Sequence, residues 1–354
     1  MKILHCAETI KGGIATYLGE VLPWQIAEFG PSQVHVLVPG NQTGELSGIP
    51  PTSLHVFTRR RRNIVALFTF AIEFIRVARD VKPAIVHLHG SFAGFIGRLL
   101  ALLACPRAKV IYCAHGWAFL REAPRWQNEF LAHIEKFLVF ITHKIICISR
   151  YEFDAARRIG LPSEKLALIV NGIAPLAEAV EKPPRDQKIF LFVGRLDKQK
   201  GFDLLLNALR LIDKPDFTVK VAGGAVLDNP QYALPSCIQL LGWVPRHRLA
   251  PLYAEASALI MPSRWEGFGF SAVEAMSCGT PVLASHAGAL PEIVKNGQTG
   301  ILLDPDGAIA FADLLQSVSP SQLNQMGRVA AEDMRARFTA ERMNAELLQL
   351  YRAA

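Results

Sequence analysis

Two carboxylates with seven residues between them, Glu266 and Glu274, stand in the segment SRWEGFGFSAVEAMSCGTPVLAS over residues 263–285. An apolar strand-like run, ALIMPS, leads into it, and Gly267 and Gly269 interrupt regular structure before a helix that should begin near Ser271. Glycine lets a ligand approach the backbone, and a helix N-terminus offers unpaired N–H groups and a positive dipole to an anion. A sugar diphosphate suits this arrangement, with phosphate on the N–H groups and the carboxylates on sugar and ribose hydroxyls. Each acid also has a plain structural reading. Ser271-x-x-Glu274 has capping-box spacing, placing Glu274 in the first helical turn and turning it back on the helix start. Glu266 alone reads as a solvated loop acid.

A second segment, VGRLDKQKGFDLLLNAL over residues 193–209, again runs from strand through a basic loop to a helix. Its Arg195 and Lys200 could neutralise a diphosphate as leaving-group charge grows, or simply be solvated cations. Gly12 and Gly13 follow the first strand, but G-G-I-A is not the G-x-G-x-x-G fingerprint and no acidic residue ends a second strand, which disfavours a dinucleotide dehydrogenase. His87 and His89 end the run AIVHLH and His115 ends KVIYCAH, where side chains reach the ligand side of a parallel sheet. A strand-end histidine is equally a hydrogen-bonded structural residue, and these positions have no zinc-site spacing. Asp304-Pro305-Asp306 spells D-x-D, yet its proline and following glycine read as a turn, so no metal is expected there.

The elements that must hold these residues alternate short apolar runs with longer amphipathic ones. The series KILHCA, VHVLV, AIVHLH, KVIYCAH and KIICIS fills the first half; KIFLFVG, FTVKVAGG, IQLLGWV, SALIMPS, TPVLAS and TGILLD fill the second. Alternation of this kind implies parallel sheets covered on both faces, hence an α/β fold. Between the two series, APLAEAVEKPPRDQ has the prolines and mixed charge of a linker. A length of 354 residues also fits two domains. Ligands of such sheets bind beyond the carboxyl ends of the strands, so the expected site is a cleft between two doubly wound domains.

Residues 1–180 hold 20 Lys+Arg against 13 Asp+Glu, whereas residues 181–354 hold 18 of each, so the whole net charge of +7 lies in the first half. An anionic partner suits that half. Arg59, Arg60, Arg61 and Arg62 precede the helix-like NIVALFTFAIEFIRVARD, and could meet anionic lipid while Phe68 or Phe70 enters the interface. The bland reading is a surface helix packed on its sheet. Nucleic acid is not expected, since no aromatic platform accompanies the basic run. Glu73, Arg76 and Arg98 break the longest apolar stretches below spanning length, and the N-terminus turns polar before a signal sequence could form. Six scattered cysteines read as core residues in a reducing compartment. The expected location is cytoplasmic, peripheral on the inner face of the membrane.

The E-x7-E spacing followed by GTPV, together with G-R-x-x-x-x-K-G at 194–201, resembles the donor site of family 4 retaining glycosyltransferases. That resemblance implies the GT-B fold: two Rossmann-like domains facing across a cleft, with a C-terminal helix crossing back to the first. It implies an acceptor domain of residues 1–178 plus about 338–354, and a donor domain of residues 179–337. By the same resemblance Glu266 faces the transferred sugar and Glu274 the ribose, while Arg195 and Lys200 hold the phosphates. Backbone N–H groups of Phe268, Gly269, Phe270 and Ser271 hold sugar hydroxyls and phosphate. Gly13 approaches the donor from the other domain, His115 is the active-site histidine, His89 lies on the acceptor side, and the base meets backbone near Val244. The implied reaction moves a hexosyl group from GDP-mannose or a UDP-hexose, without a metal or other cofactor, to a glycan or polyprenyl-linked acceptor in bacterial-type cell-surface polysaccharide synthesis. Two alternatives stay open, a non-catalytic nucleotide-sugar binding subunit and a GT-B-like epimerase.

Overall fold

The computed structural model describes residues 1–59, 64–176, 187–224, 234–304 and 307–354. Arg60, Arg61 and Arg62, most of the proline-rich linker, and Pro305-Asp306 lie outside the described residues. The chain divides into two compact units, Met1–Gly172 with Ala340–Ala354, and Ile173–Thr339.

The first unit runs β1 (Ile3–Ala7), α1 (Gly13–Phe29), β2 (Val34–Pro39), β3 (Leu54–Phe57), α2 (Ile64–Val81), β4 (Ile85–His89), α3 (Ser91–Ala104), β5 (Lys109–Cys113), α4 (Arg125–Leu138), β6 (Lys144–Cys147), α5 (Arg150–Arg158) and β7 (Leu166–Leu168). Its strands form one sheet in the order β3-β2-β1-β4-β5-β6-β7, every pairing parallel. The central strands β1 and β4 are buried along their whole length, as sheet covered by helices on both faces requires. The strand order reverses between β1 and β4, a topological switch point.

The second unit runs β8 (Lys188–Val193), α6 (Phe202–Arg210), β9 (Phe217–Ala222), β10 (Ile238–Gly242), α7 (Leu249–Glu255), β11 (Ala258–Met261), α8 (Phe270–Ser277), β12 (Val282–Ser285), α9 (Leu290–Ile293), β13 (Gly300–Leu303), α10 (Ala308–Ser317) and α11 (Pro320–Arg337). Its parallel sheet has the order β10-β9-β8-β11-β12-β13, with the same reversal between β8 and β11. Beyond α11 the chain re-enters the first unit as α12 (Ala340–Ala353), where Tyr351 and Asn344 are buried. Asn344 donates to the Glu20 carbonyl of α1 at 3.1 Å.

Two expectations change here. Phe70 is fully buried in the core of the first unit, so of the two phenylalanines only Phe68, 65% exposed, could meet a lipid surface. Arg59 is also mostly buried, its Nε 3.1 Å from the carboxylate of buried Glu8, so this guanidinium is committed inside the protein. The cysteines are all buried and free. Among the described residues no helix is long and apolar enough to cross a membrane.

Candidate active site

The carboxyl ends of β8 and β11 carry the first constellation. β8 ends at Val193; Gly194 then turns the chain, and the side-chain carbons of Lys200 pack over it. Gly201, at φ +69°, caps α6, and a Cβ there would lie 1.8 Å from the carbonyl oxygen of Pro262. Only glycine lets the start of α6 sit on the loop after β11. Lys200 is thereby brought to Glu266, and its Nζ donates to Glu266 Oε1. Ser263 Oγ donates to the same oxygen at 3.4 Å. Glu266 is 7% exposed, a buried carboxylate that requires such partners.

The backbone of Glu266 is held as firmly. Gly288, at φ +57°, passes so close that a Cβ would fall 2.2 Å from the Glu266 carbonyl oxygen, and the Ala289 N–H donates to that oxygen at 3.0 Å. Ser285 at the end of β12 donates from Oγ to the Ser263 carbonyl. Arg264 adds a clamp that the spacing argument did not identify. It meets Asp203 of α6 with two hydrogen bonds, 2.8 and 2.7 Å, and donates to the Lys198 carbonyl at 2.7 Å. Burial works against ionising Asp203, but the Arg264 guanidinium outweighs it and holds the carboxyl below its usual range.

Helix α8 starts at Phe270 with Gly269 at its N-cap, φ +112°, and no side-chain cap. Glu274 is therefore the fifth helical residue, outside the first turn, and the capping-box reading with Ser271 fails. Its carboxylate instead accepts from Arg246 Nε at 2.7 Å and from the hydroxyl of Tyr253 at 2.9 Å. Tyr253 comes from α7 and is fully buried; burial and the Glu274 charge push its hydroxyl far above the ordinary value, so it remains a donor. Neither partner had a sequence signal beyond its residue type. Val244, half-buried, lies in the loop that carries Arg246.

Two other residues occupy positions unlike those expected. Arg195 turns onto its own loop, half exposed, with Nη2 2.5 Å from Gln199 Oε1 and 3.2 Å from Asp197. The ring of Phe268 is buried edge-on against Phe270 and Phe338, so only its backbone remains for a ligand. Gly269, Phe270 and Ser271 lie where the first-turn N–H groups of α8 lack intrahelical acceptors.

In the first unit, Gly13 is exposed at the first position of α1. Strand β5 stops at Cys113, so His115 lies in the following loop, with the uncommon backbone angle φ +52°. Glu152 supports that loop: its carboxylate accepts from the Gly116 N–H at 2.6 Å and the Ile148 N–H at 3.2 Å. The spacing Ser149-x-x-Glu152 was the available signal, and Ser149 Oγ does cap the Glu152 N–H at 3.1 Å.

His89 connects with more than His115. A continuous chain runs from Gln25 Oε1 to His5 Nε2 at 2.8 Å, His5 Nδ1 to His89 Nε2 at 3.0 Å, and His89 Nδ1 to His115 Nε2 at 2.9 Å. His87 Nδ1 contacts the Tyr351 hydroxyl at 2.5 Å. Burial lowers the pKa of all four rings, that of His5 to about 4, that of His115 to about 3, and those of His87 and His89 well below the usual histidine value. At neutral pH they are uncharged, each a donor and an acceptor.

Comparison with known proteins agrees with this architecture. The family model described as "Glycosyl transferases group 1" matches residues 175–337, and that of "Glycosyltransferase Family 4" matches residues 11–175. An uncharacterized 41.2 kDa protein in the cps region of Klebsiella pneumoniae is 32% identical over 365 residues, covering 100% of both chains. The UDP-Gal:alpha-D-GlcNAc-diphosphoundecaprenol alpha-1,3-galactosyltransferase of Escherichia coli is 27% identical, covering 73% of this chain and 72% of its own. Anabaena HepE, solved in complex with UDP and glucose, superposes with a TM-score of 0.80 over 100% of both chains at 20% identity. The chain thus belongs to the group 1, family 4 glycosyltransferases and has their GT-B fold.

Proposed function

We propose that this glycosyltransferase retains anomeric configuration as it moves a hexosyl group from a nucleotide-sugar, GDP-mannose or a UDP-hexose, to a glycan or polyprenyl-linked acceptor. The observation that carries the reading is the Lys200–Glu266 pair, held rigidly beside the start of α8. A donor diphosphate competes for the Lys200 ammonium and frees the Glu266 carboxylate for sugar hydroxyls. Glu274 takes the ribose hydroxyls, with Tyr253 fixing its orientation. Arg195, on its exposed loop, swings onto the phosphates, and the N–H groups of Phe268 to Ser271 complete the cradle; Gly13 and the backbone at Val244 serve phosphate and base.

Charge from Lys200, Arg195 and the α8 N-terminus takes the place of a metal at the diphosphate. The acceptor hydroxyl oxygen bonds to the anomeric carbon as the bond from that carbon to the phosphate oxygen breaks. The acceptor proton passes to the leaving diphosphate on the same face. His115 serves the transferred sugar, and His89, expected on the acceptor side, is instead buried behind it and hydrogen-bonded to it.

A lipid-linked acceptor draws support from exposed apolar side chains on the first unit. Phe68, Ile72, Leu103, Phe130, Phe137 and Phe140, from α2, α3, α4 and the turn after it, are each more than 60% exposed. Exposed apolar side chains on a basic unit suit a cytoplasmic protein seated on anionic bilayer. Liposome flotation checks this part: Phe137→Ser with Phe140→Ser should lose binding, and unchanged binding would refute it.

The transfer reading is tested by assaying Glu266→Ala with a panel of UDP-, GDP- and ADP-sugars. Sugar transfer should disappear while nucleotide-induced thermal stabilisation largely survives. Full transfer by the variant would remove Glu266 from the role.

A further inference from the structure

Parallel register places a second constellation at the other switch point. His5 of β1 pairs directly with His87 of β4, and Ala7 pairs with His89. Side chains alternate along a strand, so His5, His87 and His89 all project from one face. That face is covered by α1, which supplies Tyr17 and Gln25, and by α12, which supplies Tyr351. One ring nitrogen from each of the three histidines lies within 4.8 Å of the others, and all three residues are at most 1% exposed.

The second nitrogen of every ring is engaged from outside the cluster. His5 Nε2 meets Gln25 Oε1, His87 Nδ1 meets the Tyr351 hydroxyl, and His89 Nδ1 meets His115 Nε2. The nitrogens left facing inward are His5 Nδ1, His87 Nε2 and His89 Nε2. Metal-binding histidines show this pattern, their outer N–H tied to a carbonyl or hydroxyl so that the inner lone pair is aimed. His5 Nδ1 and His89 Nε2 are 3.0 Å apart, close to the roughly 3.3 Å that tetrahedral bonds of about 2.0 Å would set. His87 Nε2 is buried with no hydrogen-bond partner. So is the Tyr17 hydroxyl, whose ring centroid lies 5.5 Å from that of His89 and 6.2 Å from that of His87. A buried polar atom without a partner is costly, and two beside one histidine cluster point to a missing common partner.

We propose that His5, His87 and His89 form a buried binding site for a divalent transition metal of the zinc type, with the Tyr17 hydroxyl or a water as fourth ligand. Three neutral imidazoles suit zinc, cobalt, nickel or copper rather than magnesium or calcium. The metal is structural and distinct from the donor diphosphate, joining β1, β4 and the helices above them. It also sets a tautomer. With the metal on His89 Nε2, His89 donates from Nδ1 to His115 Nε2, which leaves the proton of His115 on Nδ1. Without it, His5 Nδ1 accepts from His89 Nε2, and His115 must donate from Nε2. The site therefore fixes which nitrogen of His115 is bare.

The test needs no transfer activity. The full chain, without a polyhistidine tag, is unfolded in chelator and refolded with Zn2+ alone or Co2+ alone, then freed of loose metal. Stoichiometric zinc and the visible absorption of tetrahedral cobalt are expected. His87→Gln should lose both. His35→Gln, which breaks a separate half-buried contact with His55 at 3.1 Å, should keep both. Only trace metal in the wild-type protein overturns the proposal, whatever the variants do. Undiminished metal in a folded His87→Gln also overturns it.

Discussion

The two sheets share one strand order and put their switch points to opposite uses. Between β8 and β11 the space is closed by backbone, with Gly201 against Pro262 and Gly288 against Glu266, while a lysine and a glutamate meet at its edge. Between β1 and β4 the space is filled by neutral aromatic rings, His5, His87 and His89, under Tyr17 and Tyr351. One switch point holds charge ready for an anionic ligand. The other holds lone pairs and protons in a dry interior. The same topology offers a crevice, and the residue types lining it decide whether it suits a diphosphate or a cation.

Acid should break the comparison most sharply. The folded rings of His5, His87, His89 and His115 bind protons only below the unfolded value near 6.5, His5 at about 4 and His115 at about 3. Unfolding below pH 6.5 therefore takes up protons, and stability falls as pH falls. All four rings act in the same direction, so their contributions add. A bound metal leaves the sign unchanged, since it too requires unprotonated rings. The second unit rests on carboxylates such as Asp203, whose contribution is lost only below about pH 4. Urea unfolding with pulse-labelling mass spectrometry should show peptides of the first unit destabilised at pH 5 before those of the second. Parallel loss in both would erase the contrast.

At the charged switch point, Lys200→Ala should lower kcat/KM for transfer by about 100- to 1000-fold, the usual loss for one preorganised group on developing charge. Steady-state kinetics with the preferred donor measure this. Gly201→Ala attacks the scaffold instead: with its Cβ driven against Pro262, stability should fall by about 3 kcal/mol or more in urea melts. Tyr253→Phe is milder. It removes one hydrogen bond to buried Glu274, so stability should drop by about 1–3 kcal/mol and nucleotide affinity should weaken. Calorimetric titration with UDP and GDP separates the two effects. Arg264→Lys, which keeps the charge and loses the two-point grip on Asp203, should cost about 1 kcal/mol.

Much of the architecture was legible in the strand-like runs, because a buried parallel strand needs an unbroken apolar sequence. Those of the second half fall on β8 to β13, with edges shifted by a residue or two. The short edge strands Leu54–Phe57 and Leu166–Leu168 were not marked, since partly exposed strands carry mixed composition. Glu266 and Glu274 stood out through spacing and glycine content. Their partners did not: Arg246 and Tyr253 precede Glu274 by 28 and 21 residues, and no local pattern ties them to it. Arg59 misled for the same reason, as nothing near it announces the buried Glu8 across the sheet.

The amino-acid sequence alone determined two doubly wound domains, the placement of net positive charge, and a loop-and-helix segment suited to a sugar diphosphate. These follow from periodicity and from residues close in the chain, where local physics acts without knowledge of the fold. Only the tertiary structure decided that the capping-box spacing at Ser271 is unused, that Lys200 reaches Glu266, and that histidines 5, 87, 89 and 115 form one buried cluster. Strand register and crossover connections bring such residues together, and that pairing is set by the packing of the whole sheet.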